Sequence, residues 1–343
     1  MRDGITTPVS DLPPHGGDTA QAALRFGVAP EDFLDLSTGV NPWPYPMEPT
    51  DYREAERLPD SRLLARLLES AGRYFGIQDL ASIVPAAGSQ AVIQQLPQLL
   101  RPQSVAIVSP TYSEHEAAWR RAGVTVTPAR NPDASADVVV VVNPNNPDGR
   151  QWPADALQDI ATRQARKGGF LIVDGAFADV ATDQVLPQAG VPGLIVLRSF
   201  GKFFGLPGLR LGFALLPAAL AADLKDRLGP WPVNGPAARI AARAMADDAW
   251  IVASRSRIRE HAVRLDALIA RFGGTIIGGT DLFRTATFSD ARMVWDCLGR
   301  LGVLCRAFDY DQHLLRFGLP GTETAFQILA EGLETVIKSR PGA

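Results

Sequence analysis

The sequence predicts an α/β protein, with a mostly parallel central sheet in a large domain and a smaller α+β domain after it. Continuous apolar runs that are rich in β-branched residues indicate strands buried on both faces. Helical patterns separate these runs, an alternation that is typical of a parallel sheet. A chain of 343 residues is also long enough to divide into two domains that share a cleft.

The regions follow one another along the chain. Residues 1–45 contain many prolines and glycines with little periodicity, and predict an irregular arm that covers a cleft or a partner subunit. Residues 46–240 are the predicted large domain. Residues 241–343 are the predicted small domain.

In the large domain, the predicted strands are the apolar runs at 104–109, 137–143, 170–174, 194–199 and 211–216. A helix is predicted from Ser89 to about residue 96. Another is predicted over 153–167, because its apolar residues share one face, a proline begins it and two glycines end it.

Beyond the large domain, one long helix is predicted from Pro236 to about residue 271. Strand patterns follow near 274–288, 303–307 and 314–318. A last helix begins at Thr322 and has an apolar face.

Charge and composition exclude several classes of function. The 34 basic and 37 acidic residues leave no positive excess for a polyanion, so we expect a small-molecule ligand and no nucleic acid. Cys297 and Cys305 match neither the spacing of metal ligands nor a redox pair, and no metal site is predicted. The first residues lack the apolar stretch of a signal peptide, and no run approaches about 20 apolar residues. We therefore expect a cytoplasmic protein without a membrane span.

Lys202 is the candidate for amine chemistry. It is one of four lysines and lies among apolar residues and glycines, directly after a predicted strand. Removal of water lowers the pKa of an ammonium group, so a lysine in such surroundings is suited to forming an imine with a carbonyl. The alternative is a lysine on an ordinary surface loop.

A second group of residues is suited to holding a phosphate. Arg210 supplies a cationic fork and Ser199 a hydroxyl. Gly88, Ser89 and Gln90 begin a predicted helix, whose free N–H groups attract anions. The alternative is that Ser89 is a simple helix cap, and we expect it to cap the helix in either case.

Three further polar or aromatic side chains follow predicted strands. Asp174 ends a buried strand, where a protonated ring nitrogen is a suitable partner for its carboxylate; a turn aspartate is the alternative. Asn146 lies in an Asn-Pro turn that could present its amide to a phenolate oxygen, or be a plain turn. Tyr112 could stack on a planar cofactor or belong to the core. All lie at the carboxyl ends of strands, where open α/β sheets bind ligands.

Together these residues resemble the fold-type I pyridoxal-phosphate enzymes of the aminotransferase class I/II superfamily. The resemblance rests on Ser-x-x-Lys at 199–202 with Arg210 after it, Asn-Pro-x-Asn-Pro at 143–147, Asp-x-Ala-Phe at 174–177 and Gly-Ser-Gln at 88–90. It spans nearly the whole chain. It implies pyridoxal 5'-phosphate as cofactor, a homodimer, and a phosphorylated amino acid as substrate.

The resemblance also implies roles for single residues. The lysine that matches Lys202 holds the cofactor covalently, and the aspartate that matches Asp174 keeps the ring nitrogen protonated; these are the predicted catalytic residues. Cofactor binding is assigned to Gly88, Ser89, Gln90, Tyr112, Asn146, Asp174, Phe177, Ser199, Lys202 and Arg210. Substrate binding is assigned to His15, Gly16, Gly39, Asn146, Arg306 and Arg316, of which Arg316 clamps the carboxylate. The alternatives are solvated strand arginines and a hydrogen-bonded histidine in the arm.

Within the superfamily, His15-Gly-Gly17 and residues 230–234 are closest to enzymes that decarboxylate a phosphorylated amino acid. The implied reaction converts L-threonine O-3-phosphate to (R)-1-amino-2-propanol O-2-phosphate in cobalamin biosynthesis. An aminotransferase of the histidinol-phosphate type is the alternative, because the bond that breaks depends on angles that a sequence does not report. A non-catalytic pyridoxal-phosphate-binding partner protein is a third hypothesis.

Three positions depart from the pattern of the superfamily. Relatives commonly have glutamate at Gly175, asparagine at Gly39 and tyrosine at Leu58. The tyrosine hydroxyl reaches the cofactor phosphate across the dimer, so Leu58 predicts weaker binding of the cofactor by about 1 kcal/mol or somewhat more. Phe177 replaces a tyrosine of many aminotransferases and favours the decarboxylase.

Overall fold

The computed structural model describes residues 12–13, 15–181 and 185–338. No helix in these ranges is long and apolar enough to cross a membrane. The described chain divides into two compact units. The first unit comprises Val40–Arg259 and Gly279–Leu282, and the second unit comprises the remaining described residues.

Strands and α-helices alternate along much of the described chain. The strands are β1 (Leu34–Asp35), β2 (Ile83–Ala86), β3 (Ser104–Val108), β4 (Thr125–Ala129), β5 (Val138–Val142), β6 (Phe170–Asp174), β7 (Leu194–Ser199), β8 (Gly212–Leu215), β9 (Thr275–Thr280), β10 (Phe283–Thr287), β11 (Val303–Leu304), β12 (Arg306–Phe308) and β13 (Asp311–Gly318). The α-helices are α1 (Thr19–Phe26), α2 (Pro49–Tyr52), α3 (Ser61–Phe75), α4 (Ser89–Leu100), α5 (Ser113–Arg121), α6 (Ala154–Arg166), α7 (Phe200–Phe203), α8 (Ala218–Leu228), α9 (Gly235–Ala244), α10 (Asp248–Arg271), α11 (Ala291–Arg300) and α12 (Glu323–Lys338).

The first unit is built on a seven-stranded sheet in the order β2-β8-β7-β6-β5-β3-β4. The five strands that lie side by side as β7-β6-β5-β3-β4 are parallel to one another. Strand β8 is antiparallel to both of its neighbours, β7 and β2. Strand β5 is buried along its whole length, as its run of valines predicts. The α/β class and the five strands predicted for the large domain are confirmed.

Two helices of this unit show why the sequence folds in this way. Helix α6 follows Pro153, ends before the left-handed Gly168 and buries the apolar face that predicted it. Helix α4 packs Val92 and Leu96 into the core cluster of the sheet, and is one turn longer than predicted. Because β5, β6 and β7 are parallel, the residues that follow them meet at one edge of the sheet.

The structure corrects two predictions. The single helix predicted from Pro236 to residue 271 is two helices, α9 and α10, because Asp247 interrupts it: its carboxylate accepts a hydrogen bond from Trp250 N at 3.0 Å and caps α10. The N-terminal region is more regular than predicted. It contains α1, which begins at the capping Asp18 and ends at the left-handed Gly27.

The second unit contains a four-stranded sheet in the order β12-β13-β10-β9, and a short parallel pair of β1 with β11. Strand β13 is antiparallel to both β10 and β12, with Arg306 directly opposite Arg316. Helices α11 and α12 bury apolar residues, among them Trp295 and Leu329. The strands and the last helix that the sequence predicts in this region are present.

Candidate active site

Lys202 and Phe177 lie close together at the carboxyl edge of the central sheet. Strand β7 ends at Ser199, and the short helix α7 follows with Lys202 in it. The Nζ atom of Lys202 lies 5.7 Å from the centre of the Phe177 ring, which is buried in the loop that follows β6. An apolar ring therefore adjoins the predicted amine, as the sequence indicates.

Asp174, the last residue of β6, is buried and hydrogen-bonded. Its Oδ1 accepts a hydrogen bond from Ala176 N at 3.0 Å, and its Oδ2 lies 2.9 Å from Nε2 of His115 on α5. His115 is fully buried, and within the described chain its Nδ1 has no hydrogen-bond partner. The two contacts fix the carboxylate at the strand end.

Sequence reasoning did not identify His115. It is one of four histidines in the chain and lies on the buried face of α5 with Ala118 and Trp119, so its pattern resembles that of a core residue. The pairing with Asp174 joins positions that are 59 residues apart. Only the crossing of α5 over the sheet brings them together.

At the start of α4, where the sequence predicts an anion site, the structure corrects one prediction. The helix cap is Gly88, in a left-handed conformation with φ of 85°, and no side chain caps the helix; the prediction that Ser89 caps it is wrong. The Nη2 atom of Arg210 lies 2.8 Å from the position that a Cβ on Gly88 would take. Ser199 pairs with Gly212 of β8, and a Cβ on Gly212 would lie 2.3 Å from Ser89 N. The free N–H groups at the start of α4 and the Arg210 guanidinium therefore lie side by side.

Gln90 and Tyr112 form a hydrogen-bonded pair beside this site. The Tyr112 hydroxyl donates to Gln90 Oε1 at 3.2 Å, and Gln90 Nε2 donates to Glu114 Oε2 at 2.8 Å. Burial, and then the negative charges of Glu114 and Asp174, raise the pKa of Tyr112 to about 12. Tyr112 is therefore a neutral phenol at physiological pH.

The Asn-Pro turn after β5 is held by its own side chains. Asn143 donates to the carbonyls of Trp152 and Val185, at 3.0 and 2.6 Å. Asn145 accepts from the Thr111 hydroxyl at 2.6 Å and donates to Asp148 at 2.7 Å. These two amides build the turn, and the half-buried Asn146 directly follows Asn145 in it.

Arg306 and Arg316 form the most unusual feature of the second unit, and we call them the arginine pair. They lie directly opposite each other on β12 and β13, so their side chains leave the same face of the sheet. Burial, and then the positive charge of Arg306, lower the pKa of Arg316 to about 10. Burial also lowers the pKa of Arg306. Two like charges in this arrangement favour a bound anion.

The N-terminal residues of the second unit contact the arginine pair. Arg316 Nη2 donates to the carbonyl of Ser37 at 2.7 Å, and Arg306 Nη1 donates to the carbonyl of Pro13. Gly16 lies against Ser37, since a Cβ there would be 2.4 Å from the Ser37 carbonyl oxygen. Gly39 is buried, and His15 is exposed at its place in the arm.

The structure explains one departure from the superfamily and locates another. At Gly175, a Cβ would lie 2.6 Å from the nearest methyl of Leu186, so the buried leucine fills the space beside this glycine. Leu58 is 61% exposed on the surface of the first unit.

The chain is similar to known proteins over most of its length. Residues 47–331 match the family model for aminotransferase class I and II. The threonine-phosphate decarboxylase of Pseudomonas aeruginosa is 41% identical over 325 residues, covering 93% of this chain and 96% of that protein.

Two solved structures share the fold. They are a histidinol-phosphate aminotransferase from Clostridium acetobutylicum, with a TM-score of 0.78, and an L-threonine-O-3-phosphate decarboxylase from Porphyromonas gingivalis, with a TM-score of 0.74. Each is 20% identical, and each comparison covers 89% of this chain and 99% of the other. Enzymes of both reaction types therefore share this fold.

Proposed function

The chain belongs to the aminotransferase class I and II family, and from that membership we propose that it decarboxylates L-threonine O-3-phosphate to (R)-1-amino-2-propanol O-2-phosphate, with pyridoxal 5'-phosphate as cofactor. Identity of 41% to a threonine-phosphate decarboxylase over nearly the whole of both chains supports this reaction. The reaction belongs to cobalamin biosynthesis. A homodimer and a cytoplasmic location stay predictions of the sequence.

The residues of the first unit fit this cofactor. The uncapped start of α4, with Gly88 against Arg210, suits a phosphate group, because the free N–H groups and the guanidinium are all donors. Asp174 offers a buried carboxylate to a protonated ring nitrogen. Lys202 offers an amine to the aldehyde, beside the ring of Phe177.

When bound, pyridoxal phosphate supplies an electron sink for the charge that is left when carbon dioxide departs from Cα. The protein's part is to hold charges in place before the reaction. The Asp174 carboxylate, fixed by His115 and Ala176 N, favours a proton on the ring nitrogen. Lys202 would hold the cofactor through its Nζ atom, beside the Phe177 ring.

The arginine pair is the observation that carries the assignment of the substrate class. The buried guanidinium of Arg316 and the half-buried one of Arg306 repel each other from facing positions, and a doubly charged phosphate relieves that repulsion better than a neutral side chain does. We assign the arginine pair, with His15, Gly16 and Gly39, to the phosphate and carboxylate of the substrate.

Product analysis by mass spectrometry tests the proposal. Purified protein with pyridoxal phosphate and L-threonine O-3-phosphate is expected to form aminopropanol phosphate, and Lys202→Ala to form none. A parallel reaction with 2-oxoglutarate and a panel of amino donors, including histidinol phosphate, tests the alternative. Glutamate without aminopropanol phosphate would identify an aminotransferase and contradict the proposal.

A further inference from the structure

We propose that Asp179 is a positioning residue, which fixes the orientation of Phe177 relative to Lys202 through a buried ion pair with Arg198. The inference rests on the decarboxylation proposed above, because it concerns the site where that reaction takes place. It adds a residue that lies outside the predicted cofactor and substrate contacts.

The two chain segments that carry Phe177 and Lys202 separate at the end of the sheet. Strands β6 and β7 pair up to Asp174 and Leu197, and Gly175 N donates to the Leu197 carbonyl at 2.8 Å. One segment then turns into the loop of Phe177, while the other continues to α7. Their relative orientation beyond this point depends on side chains.

The ion pair joins the segments after they separate. Asp179 lies two residues beyond Phe177, in the 3-10 helix Ala178–Val180, and Arg198 lies four residues before Lys202. Arg198 Nη2 donates to Asp179 Oδ1, and the side chains are only 14% and 4% exposed. A buried ion pair resists screening by salt and solvent, so it holds this connection firmly.

Two other elements hold Asp179 in the same place. The Tyr74 hydroxyl at the end of α3 donates to Asp179 Oδ1 at 3.0 Å. Arg255 Nε on α10 donates to the Asp179 carbonyl at 2.8 Å, and its guanidinium lies 5.6 Å from the centre of the Phe203 ring. Phe203 adjoins Lys202 in α7, so Arg255 connects both segments as well.

The pair is poorly arranged for stability alone. Arg198 Nε is buried and has no hydrogen-bond partner in the described ranges. A buried charge with an unsatisfied donor loses much of the energy of its interaction, and apolar side chains of similar volume commonly stabilise as well or better. Unlike apolar residues, this ion pair fixes the orientation of the segment that carries Phe177 relative to the segment that carries Lys202.

Two variants separate positioning from stability. Asp179→Asn breaks the ion pair but keeps the shape of the side chain. Asp179→Leu with Arg198→Met removes both charges, so that no buried charge is left alone. The matched control is Asp266→Asn, which breaks the ion pair of Asp266 with Arg284 in the second unit, where the side chains are 30% and 19% exposed.

Four kinds of measurement are made: steady-state kinetics of the holoenzyme with L-threonine O-3-phosphate (kcat and KM), visible circular dichroism of bound pyridoxal phosphate, thermal unfolding, and hydrogen exchange of the cofactor-free protein. For both variants at Asp179 we expect kcat to fall about tenfold or more, with KM within about twofold. We also expect altered dichroism, and faster exchange at residues 177–180 and 200–203. The double variant leaves the Tyr74 hydroxyl without its acceptor, so we expect its unfolding temperature to fall by no more than about 5 °C. Asp266→Asn loses stability but keeps kcat and dichroism.

A double variant with the kcat, dichroism and exchange of the unaltered protein would overturn the inference. So would a fall in kcat that accompanies unfolding in every variant, the control included. If the unaltered protein releases no carbon dioxide, the proposed function fails instead, and hydrogen exchange of the cofactor-free protein still tests the role of Asp179.

Discussion

Replacing Arg306 by glutamine is expected to weaken substrate binding without destabilising the protein. Arg306 faces Arg316 across two antiparallel strands. Burial, and then the charge of Arg306, lower the pKa of Arg316 from 12.5 to about 10. At ~1.36 kcal/mol for each pKa unit, the folded protein holds Arg316 in its charged form at a cost of about 3 kcal/mol.

The sign of the stability effect follows from this pKa. The folded value lies below the unfolded one, so the cost is present at every pH below about 10. Arg306 is the second cause after burial, so removing its charge recovers a part of this cost, on the order of 1 kcal/mol. Glutamine keeps an amide donor for the Pro13 carbonyl. We expect an unfolding temperature that is unchanged or about 2 °C higher.

Thermal unfolding in phosphate-free buffer and steady-state kinetics test this prediction together. Loss of two charge-assisted hydrogen bonds of ~1.5 kcal/mol each should raise KM for L-threonine O-3-phosphate about 100-fold. Inorganic phosphate should raise the unfolding temperature of the unaltered protein and not that of Arg306→Gln. The matched control is Arg66→Gln on the exposed side of α3. If the unfolding temperature of Arg306→Gln fell by more than about 5 °C, or its KM stayed within twofold of the unaltered value, the reasoning would be refuted. An arginine whose charge is balanced by structural partners behaves in that way.

Three other substitutions test the cofactor site. Lys202→Ala should remove both turnover and the visible band of the bound cofactor; retained turnover would show that another amine serves. Gly88→Ala should weaken binding of pyridoxal phosphate about tenfold, because a φ of 85° is unfavourable for alanine and the added Cβ would lie 2.8 Å from Arg210 Nη2. An unchanged Kd for pyridoxal phosphate in a fluorescence titration would contradict this. His115→Phe removes one hydrogen bond from Asp174 and should lower kcat about 10- to 100-fold; a kcat within twofold would show that Ala176 N alone orients the carboxylate.

The sequence predicts most of the central sheet, because the strands of a parallel sheet are buried on both faces and appear as continuous apolar runs. The run of valines in β5 is the clearest case. Boundaries that depend on one hydrogen bond are harder to predict. The break between α9 and α10 arises from the cap by Asp247, and the Ala-rich sequence around it hides that signal.

A residue of the candidate site can be predicted from the sequence where the chemistry of its role requires one particular residue type. Lys202, Asp174 and Arg210 stand out because an amine, a buried carboxylate and a guanidinium are uncommon beside buried strands. Contacts between distant parts of the chain leave no such signal. The pairing of His115 with Asp174, and of Arg306 with Arg316, depends on helix crossing and strand register, which only the folded chain defines.

The proposed function requires one protein to combine an electron sink with a site for a phosphorylated amino acid. The most direct test is the kcat/KM for release of carboxyl-labelled carbon dioxide from L-threonine O-3-phosphate, compared with that from L-threonine. Two charge-assisted contacts with the phosphate predict a preference of about 100-fold or more for the phosphorylated substrate. Equal values for the two substrates, or no labelled carbon dioxide from either, would contradict the account.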